Sequence, residues 1–211
     1  MKLNSLEFAI MNNSLRAALQ RQFETPRLIG PPGTLSGKHV LEIGCGRGVG
    51  VEILLSLGAE LVTGFDFDPK MVTLAQKRLE KYRERARVFI GDAEAIDAPN
   101  DSFDAVVDYG VIHHIPHWQQ ALKEIARVLK PGGTFYFEDL LKNLISTWPA
   151  PVFFDHPQDT QFYGGEFCSE LEASGLHIQK WCQLGELAIA GRADKLQNSS
   201  SATMIGDNHE S

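Results

Sequence analysis

The stretch HVLEIGCGRG, residues 39–48, decides the fold of this 211-residue chain. Its apolar half runs into three glycines separated by single residues, Gly44, Gly46 and Gly48. We predict a buried β-strand that ends in a tight glycine turn, followed by a helix over residues 48–57. Glycines at such a turn let the backbone bend sharply and approach a ligand at the carboxyl edge of a parallel sheet.

The residues beyond this turn alternate between short apolar runs and patterns with helical spacing. Further strands are predicted at residues 61–66, 86–92, 103–108 and 134–139, and an edge hairpin at 176–182 and 186–190. Helices are predicted at residues 5–22, 69–85, 118–129 and 165–173. Asp68 and Pro69 mark the start of the second of these helices, as N-cap and first helical residue. Strands that alternate with helices are typical of an α/β fold with a parallel sheet.

The composition is that of a globular domain, with 43% hydrophobic and 22% charged residues. A formal net charge of −7 disfavours a nucleic-acid partner, which requires a broad basic surface. No apolar run is long enough to span a membrane, and the first residues lack the uninterrupted core of a secretory signal. Three scattered cysteines, without a C-x-x-C pair, favour neither a zinc site nor disulfides. We therefore expect a cytoplasmic protein.

The charge beside the glycine turn indicates which cofactor it accepts. The dinucleotide pattern G-x-G-x-x-G fails here, because Val49 and Val51 stand where a third glycine is required. Glu42 precedes the first glycine by two residues, where its carboxylate would repel a pyrophosphate and attract a cation. S-adenosylmethionine carries a sulfonium and an ammonium group, so the turn favours this cofactor. The alternative role of Glu42 is only to cap the loop.

Two later strand ends supply candidates for the rest of the cofactor. Asp66, 22 residues after Gly44, offers two acceptor oxygens to a pair of ribose hydroxyls. Phe67 is placed to lie against an adenine face, with a core position as its alternative. In the segment GDAE, residues 91–94, Asp92 is predicted to accept from the adenine amine and the N–H of Ala93 to reach a ring nitrogen. Without the other motifs, the alternative interpretations are a surface residue for Asp66 and a turn residue for Asp92.

Taken in order, these motifs resemble those of the class I S-adenosylmethionine-dependent methyltransferases, most closely the branch of quinone-biosynthesis and other small-molecule methyltransferases. The resemblance covers roughly residues 38–140, and its specificity comes from the whole set: HVLEIGCGRG, GFDFDP, GDAE, FDAVVDYGVIHHI and LKPGGTFYFED. It implies a Rossmann-like three-layer sandwich with a mostly parallel seven-stranded sheet and one antiparallel edge strand. The cofactor-binding residues expected from all these observations are Glu42, Gly44, Cys45, Gly46, Asp66, Phe67, Asp92, Ala93 and Tyr109.

The same reasoning divides the chain into three parts. Residues 1–37 form an N-terminal helix and connection that cap the substrate pocket, residues 38–192 form the methyltransferase domain, and residues 193–211 form a disordered tail. The segment 140–163 is rich in proline and aromatic residues, which predicts a loop or lid over an apolar or planar acceptor. Loop aromatics that only anchor this segment to the core are the alternative.

Catalytic candidates cluster at the end of the fourth strand and after it: Asp108, Tyr109, His113, His114 and His117. His113 and His114 have side chains that titrate near neutrality and so qualify as a general base, although a packing role is the alternative. Tyr109 is expected to touch the cofactor through its backbone. Adjacent histidines rarely point at one ion, so His113, His114 and His117 predict no metal site.

The acceptor itself is not encoded in a recognisable motif. The N/D-P-P-Y signature of amino methylation is absent, since residues 108–111 read DYGV. Together with the acidic charge, this favours a small-molecule acceptor and S-adenosylhomocysteine as the second product. Two alternatives remain at this point: a nicotinamide-dependent oxidoreductase, and a protein that binds the cofactor without catalysis.

Overall fold

The computed structural model describes residues 14–146 and 161–197, which form a seven-stranded sheet with helices on both faces. The strands are β1 (His39–Ile43), β2 (Leu61–Asp66), β3 (Ala86–Ile90), β4 (Phe103–Tyr109), β5 (Leu129–Leu140), β6 (Leu176–Leu184) and β7 (Ala188–Lys195). The α-helices are α1 (Ser14–Leu19), α2 (Thr25–Leu28), α3 (Val49–Ser56), α4 (Pro69–Leu79), α5 (Trp118–Val128), α6 (Lys142–Ser146) and α7 (Gly164–Ala173). No helix in these two ranges is both long and apolar enough to cross a bilayer.

The order of strands in the sheet is β3-β2-β1-β4-β5-β7-β6. The first five run parallel, and β7 pairs antiparallel with both β5 and β6. The predicted fold class is therefore confirmed. In the hairpin of β6 and β7, the later strand β7 pairs with β5, and β6 forms the edge of the sheet. The antiparallel strand β7 therefore lies next to the edge strand.

Each face of the sheet buries its own hydrophobic core. On one face, α5 and α7 pack through Leu122, Ile125 and Phe167. On the other face, the glycine-turn helix α3 and the following α4 pack through residues such as Leu54 and Ala75. Because both faces are covered, the carboxyl ends of β1, β2, β4 and β5 are fixed relative to one another, and a site built on them is rigid.

Three element boundaries differ from the sequence-based prediction. Helix α4 gives way to a 3₁₀ helix over Glu80–Arg85, interrupted where Arg83 adopts a positive φ of 49°. The residues Pro131–Gly133 do not end a helix outright but bulge within β5, between the pairs formed by Leu129 and Thr134. The second strand of the predicted hairpin, at residues 186–190, begins two residues later and continues to Lys195, whose ammonium donates to the Leu129 carbonyl at 2.7 Å.

The segments expected to cap the pocket are only partly described. The N-terminal helical region continues past residue 22, through a π-helical turn over Gln20–Glu24 into α2; the predicted start at residue 5 lies outside the described residues. Of the expected lid, residues 147–160 also lie outside them. At its end Phe162 is core, with its ring 4.9 Å from Trp118 and 4.8 Å from Phe167, as the anchoring alternative predicted.

Candidate functional site

A cavity of about 1520 Å³ opens at the carboxyl edge of the parallel strands. Its wall includes all nine residues that the sequence singled out: Glu42, Gly44, Cys45, Gly46, Asp66, Phe67, Asp92, Ala93 and Tyr109. The wall also includes residues of α1, α2 and the β6–β7 hairpin. Pockets for one drug-sized ligand span about 300–1,000 Å³, so this cavity has room for a cofactor and a second molecule.

The glycine turn is held in shape by Asp66. Gly44, Gly46 and Gly48 all have positive φ values, of 59°, 52° and 80°. A side chain on Gly44 would also bring its Cβ within 2.5 Å of Val111, so this position requires glycine. Asp66 accepts from the backbone N–H of Gly46 at 2.8 Å and from that of Asp68 at 2.9 Å. Its burial raises its pKa, and the two N–H donors oppose this rise.

Glu42 forms the floor of the turn. Only 3% of the residue is exposed, and a Cβ at Gly50 would overlap its carboxyl group, so Gly50 makes room for it. The pKa of Glu42 is raised well above its usual range by burial and, to a smaller extent, by the charge of Asp66. The simple loop-capping role is not observed, since no described backbone N–H donates to its Oε2.

The side wall of the cavity contains the remaining cofactor candidates. Phe67 is 59% exposed, which excludes its alternative as a core residue and places an aromatic face on the wall. Asp92 accepts from the Glu94 N–H at 2.9 Å, as expected of a turn residue, and Ala93 follows it. These positions are compatible with an adenine site, and their contact with a cofactor stays a prediction.

The Tyr109 hydroxyl forms a hydrogen bond with the N-terminal region. It lies 3.0 Å from Thr25 Oγ1 in a buried contact, which connects β4 to α2 of the N-terminal region. Burial raises the pKa of this phenol well above its usual range, so it is neutral at physiological pH. The geometry therefore gives Tyr109 an anchoring role and makes it a poor catalytic base.

His113 is paired with Asp139. The Asp139 carboxylate makes a short contact with Nδ1 of His113 and also accepts from the backbone N–H of the same residue at 3.2 Å. Both side chains are buried and both residues contribute to the cavity wall. The sequence analysis missed Asp139, although its position at the end of β5 was a signal. Such a contact orients the imidazole and fixes Nε2 as its proton-accepting nitrogen.

The other histidines differ from His113. The His114 ring stacks against that of His113 with centroids 3.9 Å apart, and it also contributes to the cavity wall. His117 is exposed at the start of α5 and is not part of the wall. Within residues 14–146 and 161–197, no group of three or more His, Cys, Asp or Glu side chains is placed to hold a metal ion.

The N-terminal region adds a carboxyl pair that the sequence did not reveal. Glu138 on β5 faces Glu24 of the π-helical turn, and Arg16 of α1 contacts both, at 3.9 Å from Glu138. Burial and then the charge of Glu24 raise the pKa of Glu138 to about 8, against the opposing effect of Arg16. Glu138 is therefore mostly protonated at neutral pH in the empty cavity.

The raised pKa of Glu138 predicts a stability effect. In the unfolded chain Glu138 ionises near its ordinary pKa, whereas in the folded chain it stays neutral until about pH 8. Its contribution to the free energy of unfolding therefore falls as pH rises between these two values, and Glu138→Gln should remove that fall. We expect the Tm of the variant, relative to wild type, to increase from pH 5 to pH 8.5, by about 2–4 °C for each kcal/mol recovered.

Differential scanning fluorimetry across this pH range measures the effect. Glu84→Gln, on the exposed 3₁₀ helix, is the matched control and should follow the wild-type curve. Parallel curves for Glu138→Gln and wild type would contradict a neutral Glu138.

Comparisons with known proteins bear on this site. The family model described as a methyltransferase domain matches residues 41–137. Phthiotriol/phenolphthiotriol dimycocerosates methyltransferase of Mycobacterium leprae (strain TN) is 38% identical over 117 residues, which are 54% of this chain and 42% of that protein. Ubiquinone biosynthesis O-methyltransferase of Coxiella burnetii (strain Dugway 5J108-111) is 33% identical over 110 residues, 52% of this chain and 47% of that protein. The chain thus spans less than half the length of these curated relatives.

Solved structures share the fold. An S-adenosylmethionine-dependent methyltransferase from Mesorhizobium loti superposes with a TM-score of 0.68 at 17% identity, covering 82% of this chain and 97% of that one. The [4+2]-cyclase SpnF superposes with a TM-score of 0.70 at 18% identity, covering 83% and 80%. At these identities the likeness concerns the fold alone, and the cyclase shows that this fold also carries other chemistry.

Proposed function

We propose that this chain, whose residues 41–137 form a methyltransferase domain of the class I S-adenosylmethionine-dependent family, transfers the sulfonium methyl group of that cofactor to a small-molecule acceptor. In this reaction the bond between sulfur and the methyl carbon breaks as the acceptor atom forms a new bond to that carbon from the opposite side. S-adenosylhomocysteine is the second product. The methyl group is already activated, so alignment and exclusion of water supply much of the acceleration.

The observation that carries this proposal is the pair of carboxyl groups at the glycine turn. Glu42 and Asp66 both face the cavity where a dinucleotide would place its pyrophosphate. A pyrophosphate beside the buried Glu42 would oppose its ionisation and would be repelled by the carboxylate of Asp66, whereas a sulfonium or an ammonium group stabilises the ionised form of both acids. This disfavours the nicotinamide alternative, which also requires the third glycine that the turn lacks.

The residues around the turn suggest how the cofactor lies. Asp66 still has acceptor capacity for two ribose hydroxyls, because each oxygen has used one lone pair on a backbone N–H. Phe67 offers a face to the adenine, and Asp92 and Ala93 offer an acceptor and a donor to its edge. Gly44 and Gly46 would hold the methionine end of the cofactor, and the remaining part of the cavity would take the methyl acceptor.

A general base is available on that side. We assign His113 this role for an acceptor whose nucleophile is a hydroxyl. The proton of the hydroxyl passes to Nε2 as the oxygen attacks, and Asp139 stabilises the imidazolium that forms. After the product leaves, the imidazolium loses its proton to solvent.

The rest of the cavity indicates an apolar acceptor. Its wall beyond the cofactor residues has an apolar part, formed by Leu140, Leu144, Trp181, Leu184 and Ile189, beside charged side chains that include Arg27 and Arg192. The curated relatives are named for phthiotriol dimycocerosates and for an O-methylation in ubiquinone biosynthesis, which supports an apolar molecule that bears a hydroxyl group. The scattered free cysteines favour a reducing compartment, so we place the reaction in the cytoplasm.

Isothermal titration calorimetry with S-adenosylhomocysteine tests the cofactor, and NAD(H) is the matched competitor ligand. We expect saturable binding of the first ligand only. Transfer of a labelled methyl group to a panel of phenols and hydroxylated lipids then tests catalysis. Binding without transfer to any of them would favour the alternative, a protein that binds the cofactor but has no methyltransferase activity. The [4+2]-cyclase SpnF, which has the same fold, makes this alternative worth testing.

A further inference from the structure

The carboxyl group of Glu42 has no partner among the described residues that would stabilise its negative charge. It lies at the end of β1, on the cavity wall, and is almost completely buried. Among residues 14–146 and 161–197, no donor reaches its Oε2, and no Lys, Arg or His forms an ion pair with it. Buried carboxylates in proteins are normally paired or hydrogen-bonded, so this group is built for a ligand.

The groups that surround Glu42 make its ionised form still less favourable. Asp66, at the end of the adjacent β2, adds a like charge. The Tyr109 phenol on β4 and the Cys45 thiol in the turn also face it, and burial raises the pKa of each, so both are neutral. None of these neighbours supplies a positive charge. Without a bound cation, burial and then the charge of Asp66 therefore raise the pKa of Glu42, which favours its protonated form.

We propose that Glu42 exchanges its proton for the positive charge of the cofactor: it is a carboxylic acid in the empty cavity and a carboxylate when S-adenosylmethionine is bound. This inference rests on the proposed function and concerns the same site. The proton leaves to solvent as the sulfonium enters, so the net charge of the buried site is unchanged by binding. The sulfonium would supply the positive charge that no described residue places beside Glu42.

The proton exchange also gives the site different affinities for S-adenosylmethionine and for the product S-adenosylhomocysteine. Methyl transfer converts the sulfonium into an uncharged thioether, so the product keeps only its ammonium group as a cation and stabilises the Glu42 carboxylate less. The group then takes a proton back from solvent. The site therefore holds S-adenosylmethionine more tightly than S-adenosylhomocysteine, and this preference grows as the pH rises. Glu42 thus acts as a specificity-determining residue that favours release of the product.

Calorimetric titrations in buffers of different ionisation enthalpy count the protons released on binding. For the wild-type protein we expect release of up to about one proton with S-adenosylmethionine, over the pH range in which Glu42 is protonated, and clearly fewer with S-adenosylhomocysteine. The affinity for the cofactor should rise by up to about tenfold per pH unit over the range in which Glu42 is protonated. Glu42→Gln should abolish the difference in proton release between the two ligands and flatten the pH dependence.

Glu52→Gln is the matched control. Glu52 is also a buried glutamate, on α3, but Arg78 at 2.9 Å and Lys81 at 2.8 Å pair with it and lower its pKa. This variant should release protons as wild type does. Equal proton release with both ligands, or unchanged release in Glu42→Gln, would overturn the inference while leaving the proposed function intact. Failure of the wild-type protein to bind either ligand would overturn both.

Discussion

Replacement of His113 by alanine should lower kcat by roughly 10²–10⁴-fold, the usual contribution of a positioned general base. The variant loses the nitrogen that accepts the proton of the acceptor, so the methyl group must be attacked by a neutral hydroxyl. The affinity for S-adenosylhomocysteine should stay close to that of wild type, because the glycine turn and Asp66 are unaltered. Methyl-transfer kinetics and calorimetry of the same preparation separate these two effects.

Two further variants make this prediction specific. Asp139→Asn keeps the shape of the side chain but removes the charge that stabilises an imidazolium, so kcat should again fall while cofactor binding persists. His177→Ala is the matched control, since His177 forms a similar histidine–carboxylate contact with Glu172 at 2.9 Å away from the cavity wall. It should leave kcat unchanged. An unaltered kcat in His113→Ala would show that the acceptor needs no base from this residue.

Replacement of Asp66 by alanine should weaken the binding of S-adenosylhomocysteine by roughly 100-fold or more. Asp66 orders the turn through the N–H groups of Gly46 and Asp68, and the proposal also gives it the ribose hydroxyls. Hydrogen bonds to a charged group contribute about 1.5–3 kcal/mol each, so the loss of two corresponds to at least this change in Kd. Calorimetric titration measures the change directly.

Asp104→Ala is the matched control for this variant. Asp104 lies near the opposite end of the sheet, where it accepts from the His39 N–H at 2.8 Å and from Lys130 at 2.7 Å. Loss of these contacts should lower the Tm without affecting the Kd. Wild-type affinity in Asp66→Ala would refute the assignment of this residue to the cofactor, and equal losses of affinity in both variants would attribute the effect to general destabilisation.

Most of the cofactor candidates could be found from the sequence because they depend on little more than strand order. Residues at or just beyond the carboxyl ends of parallel strands meet at one edge of the sheet, whatever the details of packing. Glu42, Asp66 and Asp92 are such residues, and the glycine turn identifies the first strand. Local rules also predicted the start of α4 correctly, since the Asp68 side chain accepts from the Lys70 N–H at 2.9 Å.

The catalytic geometry depends on register and on the face of each strand, which no local pattern specifies. Asp108 on β4 is paired with Phe137 on β5, so Asp139 lies on the same face of the sheet as Asp108, together with His113. A shift of one residue would exchange these groups with Tyr109 and Glu138 on the other face.

The sequence by itself thus determined the α/β fold, the glycine turn and three of the acids that line the cavity, Glu42, Asp66 and Asp92. Only the tertiary structure decided how the acids of the wall behave: Asp139 meets His113, 26 residues away in sequence, while no residue that the structure describes donates to Oε2 of Glu42. The physical reason is that a pKa and a hydrogen bond depend on burial and on distances of a few ångströms between segments far apart in the chain.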